Sequence, residues 1–179
     1  MKQLLTARQV HTALDRLYQS VLSMLPADAA RIAVIGIRTR GEVIARRLVD
    51  RLHADRPGLA VDFGVLDITF YRDDLSRRRG APLVRATEIN FDLNDRWLLL
   101  VDDVFQTGRS ARAAMDAIAD FGRPRVIRLA VLFDRGGREL PIAPDCVGRP
   151  LKAGGRELIR VKLQESDGQE GVFIVKKEG

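Results

Sequence analysis

The segment LLLVDDVFQTGRSARAAMDAI, residues 98–118, carries the residue types best suited to chemistry. An apolar run ends in two adjacent carboxylates, Asp102 and Asp103. The short VFQTGRS stretch follows, and then apolar residues at helical spacing. This order reads as a buried strand, a tight loop and a helix. The first amides of a helix lack intrahelical acceptors and lie at the positive end of its macrodipole, so such a loop can hold an anion. The candidate cradle is Val104, Phe105, Gln106, Thr107, Gly108, Arg109 and Ser110. Thr107 and Ser110 add hydroxyl donors, and Gly108 lets the backbone approach a ligand closely. Beside a phosphate, Asp102 and Asp103 can accept hydrogen bonds from sugar hydroxyls or organise Mg²⁺ through water. Alternatively, they merely end the strand and cap a turn. The lysine of a Walker loop is absent.

The elements that must position these groups alternate along the chain. Val10, Leu14, Leu17 and Val21 form one helical face, with Thr6 as N-cap and Pro26 as stop. RIAVIGI, residues 31–37, is a continuous apolar run of the kind buried on both faces of a parallel sheet. GIRTRG (36–41) follows it and opens a second helix from Gly41, with Ile44, Leu48 and Leu52 on one face, so its place mirrors that of the VFQTGRS loop. Residues 60–71 read as a strand, 72–82 as a long, polar, exposed loop and 82–91 as an antiparallel strand. A buried strand over 96–103 stops at the two acids, and its helix ends at Gly122 and Pro124. A further strand covers 125–133. Residues 157–165 and 171–177 read as a terminal hairpin around SDGQ. The expected class is α/β, a mostly parallel sheet flanked by helices, in one domain over 1–179.

With 30 Lys and Arg against 24 Asp and Glu, the net charge is +6, which suits a phosphate-bearing partner. No apolar run approaches the ~20 residues that span a bilayer. The single cysteine, Cys146, has no partner for an internal disulfide and reads as a packed small residue, and the cytoplasm is the expected compartment. His11 and His53 lie in helical segments and read as surface or interface residues.

The stretch VDDVFQTGRSARA resembles the phosphoribosyl-pyrophosphate (PRPP) signature of type I phosphoribosyltransferases. GIRTRGEVIARRL, DITFYRDDLS, NFDLNDRWLLLVDDV and GRPRVIRLAVLFDRGGRELPI resemble the bifunctional pyrimidine-operon regulators that are also uracil phosphoribosyltransferases, the PyrR family, over nearly the whole chain. The resemblance implies the type I phosphoribosyltransferase fold, with a flexible hood loop and a C-terminal β hairpin. It implies formation of UMP and pyrophosphate from uracil and PRPP, with Mg²⁺ bound mainly through PRPP, and UMP-responsive binding of pyrimidine-operon leader mRNA. A homodimer or homotetramer is expected.

By the same resemblance, Arg38, Thr39, Arg40 and Gly41 form the pyrophosphate loop, and Arg40 joins Asp102 and Asp103 as catalytic. Arg72, Asp73, Asp74 and Arg77 belong to the hood, and Asp134, Arg135, Gly136 and Gly137 to the nucleobase site. Arg138, Arg149, Lys152 and Arg156 are candidates for RNA, with Arg16, Arg123, Arg125, Arg128 and Arg160 as further basic residues. Three positions depart from the family pattern. Gln106 stands where an aromatic is usual, Gly137 where a histidine is usual, and LKAGGRE (151–157) where the family has P-T-S. The alternatives are an RNA-binding attenuator with little catalysis and a type I phosphoribosyltransferase for another nucleobase.

Overall fold

A computed structural model describes residues 1–71, 86–154 and 157–176. The continuous apolar runs become the central strands β2 (Arg31–Ile37), β4 (Trp97–Phe105) and β5 (Val126–Asp134). With β3 (Ala60–Leu66) and β6 (Cys146–Pro150) they form a parallel five-stranded sheet in the order β3-β2-β4-β5-β6. Its central strands are buried from both sides. Helices α1 (Ala7–Met24) and α2 (Arg40–Asp55) pack on one face, against Ile32, Val34, Leu99, Val101 and Leu132. Helix α3 (Arg109–Ala119) covers the other, against Ala33, Ile35, Leu98, Leu100 and Val131. Thr6 precedes α1, and its amide donates to the Gln9 side chain at 3.0 Å, which satisfies one orphan N–H of the first turn.

The terminal hairpin is present as β7 (Glu157–Lys162) and β8 (Gly171–Lys176), with a short helix α4 (Gln164–Asp167) inside its connection. It is part of an antiparallel sheet, β1-β8-β7, whose third strand is β1 (Lys2–Leu5).

Several boundaries differ from expectation. The strand expected over 60–71 ends at Leu66, and a single 3-10 turn covers Thr69–Tyr71. Of the antiparallel strand expected over 82–91, the described part shows one isolated bridge, Glu88 to Val65. α3 ends at Ala119, before Gly122, because Phe121 and Asp120 donate to 3-10-type acceptors that tighten the last turn. The hood candidates Arg72, Asp73, Asp74 and Arg77 lie outside the described residues, as does Arg156. No helix among the described residues is long and apolar enough to cross a membrane.

Candidate active site

β4 does not stop at its acids. It runs on to Phe105, so Val104 and Phe105 are the last residues of the strand and not part of the loop. Pairing explains the extension: Val104 and Phe105 face Phe133 and Asp134 of β5, so the backbone keeps its ladder. The acids still sit at the carboxyl end of the middle strand, where ligands bind in open parallel sheets.

Strand alternation then divides the pair. Leu98 and Leu100 face the α3 side, and Leu99 and Val101 the α1–α2 side. Asp102 follows the first set and lines a cavity of about 620 Å³. Asp103 follows the second and feels the charge of Arg40. Burial pushes the Asp103 carboxyl above the usual carboxylate range, outweighing its interactions with Asp102 and Arg40. The Asp103 amide donates to Asp102 Oδ1 at 2.9 Å.

The candidate anion turn forms as its residue types dictate. Gly108 has φ +90°, a left-handed conformation that costs glycine nothing, and it turns the chain from β4 into α3. The Thr107 carbonyl accepts the amides of Glu139 (3.0 Å) and Leu140 (3.2 Å), which fixes the turn from outside. The Arg109 amide donates to Thr107 Oγ1 at 3.3 Å, and its Nε lies 3.0 Å from the Glu139 carboxylate. Val104, Phe105, Gln106, Thr107, Gly108, Arg109 and Ser110 all border the same cavity as Asp102. Glu139 also borders it and was missed, since nothing in linear spacing ties it to Arg109.

The second loop is pressed against the first strand end. A Cβ on Gly41 would stand 2.5 Å from the Val101 carbonyl oxygen and 3.0 Å from Asp102 Cα, so only glycine lets α2 start there. The Arg38–Thr39 peptide bond is cis. Arg38 lies between Glu42 (3.3 Å) and Glu88 (2.6 Å), and its Nε is buried without a partner. Arg40 donates from Nε and Nη2 to Asp167, at 3.1 and 2.6 Å. Both arginines therefore have carboxylate partners that sequence reading did not find. Glu88 and Asp167 lie 50 and 127 residues away. Arg38 and Thr39 border a second cavity of about 360 Å³, not the one at Asp102.

Asp134 is the last residue of β5, and Arg135, Gly136 and Gly137 follow it beside the candidate anion turn, where the Arg135 amide donates to the Phe105 carbonyl at 2.9 Å. Asp134 Oδ1 accepts the Gly136 amide at 2.8 Å, and the two glycines take φ of +73° and +86°. A Cβ on Gly137 would meet only Gln106, at 3.9 Å, so two of the departures from the family pattern are neighbours.

The Arg135 guanidinium reaches the Gly154 and Glu157 carbonyls and is spent on structure. Arg138 and Lys152 are exposed, Arg149 lies on the edge strand β6, and Arg128 pairs with Asp145 at 3.1 Å. Arg16, Arg123, Arg125 and Arg160 are exposed. His11 lies 3.2 Å from Glu170 and His53 is exposed, so both are surface residues. Cys146 is fully buried, and burial pushes its thiol up, as expected of a packed residue.

A parallel sheet with an acid-bearing central strand, a glycine turn at a helix N-terminus and a facing Arg-Gly loop defines the phosphoribosyltransferase fold. Solved structures share it at low identity. A hypoxanthine-guanine phosphoribosyltransferase (hpt-2) from Bacillus anthracis gives a TM-score of 0.68 at 14% identity, covering 98% of each chain. The HGPRT-ase of Leishmania tarentolae in complex with GMP gives 0.67 at 17%, covering 99% of this chain and 97% of that one.

The family described as "Phosphoribosyl transferase domain" matches residues 1–152. The "Bifunctional protein PyrR" of Deinococcus radiodurans is 46% identical over 175 residues, covering 98% of this chain and 94% of that protein. Its namesake in Thermus thermophilus is 45% identical over 177 residues, covering 99% and 97%. The chain belongs to the phosphoribosyltransferase family and, within it, to the bifunctional PyrR proteins.

Proposed function

We infer that this protein is a uracil phosphoribosyltransferase, making UMP and pyrophosphate from uracil and PRPP, and a UMP-responsive regulator that binds pyrimidine-operon mRNA. The observation that carries the catalytic reading is that Asp102 and the whole 104–110 segment border one cavity at the carboxyl end of β4. That arrangement suits a ribose phosphate, with the phosphate on the turn and the hydroxyls on the acid. Family membership then selects the nucleobase. The full chain, 1–179, acts as one domain in the cytoplasm and assembles as a homodimer or homotetramer.

In this reading the base nitrogen attacks ribose C1, the bond from C1 to the pyrophosphate oxygen breaks, and the pyrophosphate leaves with the electron pair. Amides and hydroxyls of Gln106–Ser110 hold the 5′-phosphate. Asp102 and Asp103, on either side of the strand end, fix the ribose hydroxyls, which places C1 for attack. The Arg38–Gly41 loop receives the pyrophosphate. Backbone groups of Asp134–Gly137 read the base edge. Among the described residues no three metal-type side chains converge. By family resemblance, Mg²⁺ would be held mainly by the phosphates of PRPP and by water, beside one or two carboxylates. Bound in that way, the cation would supply positive charge beside the pyrophosphate oxygens.

Exposed Arg138 and Lys152, with Arg149 on the edge strand, support the RNA reading. Incubation with PRPP and Mg²⁺ and each of uracil, guanine, hypoxanthine and orotate tests the base. UMP from uracil in preference to all others is expected. Efficient nucleotide formation from guanine with none from uracil would overturn the reading.

A further inference from the structure

Residues 157–176 lie beyond the segment that matches the phosphoribosyltransferase family, yet Asp167 among them reaches Arg40 of the candidate loop. Asp167 ends α4, in the connection between β7 and β8. Its carboxylate is a built site. Oδ2 accepts from the Leu163 amide (3.0 Å), the Ser166 hydroxyl (2.7 Å) and Arg40 Nε (3.1 Å), and Oδ1 accepts from Arg40 Nη2 at 2.6 Å. Two bonds to one carboxylate fix the plane of the guanidinium, which a single contact would not. They occupy Nε and Nη2, which leaves the N–H groups of Nη1 for a second anion.

Arg40 opens α2 immediately before Gly41, whose backbone touches Val101 and Asp102. An arginine held there is within the field of the acid pair and beside the loop read as receiving pyrophosphate. The same connection is pinned a second time. Arg47 of α2 donates to Glu165 at 2.8 and 2.6 Å and to Glu170 at 2.7 Å. The outer sheet is therefore fixed to α2 through two arginines: Arg40 belongs to the 38–41 loop itself, and Arg47 borders the second cavity together with Arg38 and Thr39.

We propose that Asp167 is a positioning residue, contributed by the C-terminal hairpin, that orients Arg40 to take the pyrophosphate of PRPP. The proposal rests on the pyrophosphate reading of the 38–41 loop. Long arginine side chains lose rotamer freedom on binding, and an arginine already held by Asp167 has lost it beforehand. Asp167 acts through Arg40 and does not touch substrate.

Calorimetric titration of Mg²⁺-pyrophosphate tests this in wild type, Asp167→Asn, Glu170→Gln, Arg40→Gln and the Arg40→Gln/Asp167→Asn double variant. Melting temperatures are recorded alongside. Glu170→Gln loosens the same connection through Arg47 without touching Arg40 or bordering either cavity, so it reports the purely structural cost. Asp167→Asn is expected to weaken pyrophosphate at least tenfold and to raise the KM for PRPP similarly, with kcat changed far less. Glu170→Gln is expected to bind as wild type, and Asp167→Asn to add no loss in the Arg40→Gln background. Three results would overturn the proposal: Asp167→Asn binding within twofold of wild type, Asp167→Asn binding more tightly, or an undiminished loss in the Arg40→Gln background. Wild-type protein that binds no pyrophosphate would overturn the reading of the loop and this inference with it.

Discussion

Asp103 carries an energetic cost that comes from its burial. Its carboxyl is pushed above the usual range by burial, so the folded state disfavours the charged form. For an acid with a raised pKa the penalty is present above the folded pKa and vanishes as pH falls below the unfolded one. Asp103→Asn should therefore melt higher than wild type at neutral pH, on the order of 2–4 °C for each kcal/mol recovered, and the gain should shrink in acid. Turnover should fall in the opposite direction. Losing an interaction with the reacting ribose costs ~10²–10³-fold in kcat, for Asp102→Asn as for Asp103→Asn. A variant that loses both stability and activity, measured by calorimetric melting and steady-state assay, would make Asp103 a structural residue. Asp167 shows the reverse sign. Burial alone would raise it, but Arg40, the Leu163 amide and Ser166 bring its carboxyl down to about 2. Its contribution is complete above the ordinary value of 3.8 and is lost as pH falls through about 2. The difference in urea midpoint between wild type and Asp167→Asn should be flat from neutral pH to about 5 and narrow below 3.8.

The elements owe their places to close backbone contacts as much as to apolar faces. α2 can begin beside β4 only because position 41 lacks a Cβ. Gly41→Ala would drive a methyl group into the Val101 carbonyl and push the loop off the acid pair. The expected result is ~1–3 kcal/mol of lost stability in urea denaturation together with a raised KM for PRPP. What could be read from the chain follows physical lines. Strands β2, β4 and β5 are buried on both faces, so their apolar runs announced them. The anion turn was legible because strand, acids, glycine and helix agree over one short stretch. β6 was not legible: CVGRP combines glycine and proline on an edge strand, which leaves no apolar period. β1 is a four-residue strand whose partner is the far terminus. The continuation of β4 to Phe105 also escaped, because its cause is pairing with β5 and not the local residue types. Asp167 was seen only as part of a turn, since its significance comes from an arginine 127 residues away.

Across the whole molecule, the positive balance of +6 is spread over a surface where several arginines already have carboxylate partners. RNA binding through those that remain should depend on phosphate neutralisation. Filter binding to a pyrimidine-operon leader hairpin is expected to weaken at least tenfold between ~50 and ~200 mM salt. It should strengthen with UMP, and RNA should then strengthen UMP binding by the same factor. Equal affinity for a scrambled hairpin, unmoved by UMP, would leave an enzyme with a basic surface. The central claim is that the end of β4 is where PRPP reacts with uracil. Phosphorus NMR of PRPP, uracil and Mg²⁺ with wild type and with the Asp102→Asn/Asp103→Asn double variant tests it most directly. With wild type, signals of UMP and pyrophosphate should grow in equal amounts as PRPP is consumed, and with the folded double variant PRPP should persist. No UMP from wild type, or UMP formed equally fast by the double variant, would contradict the account.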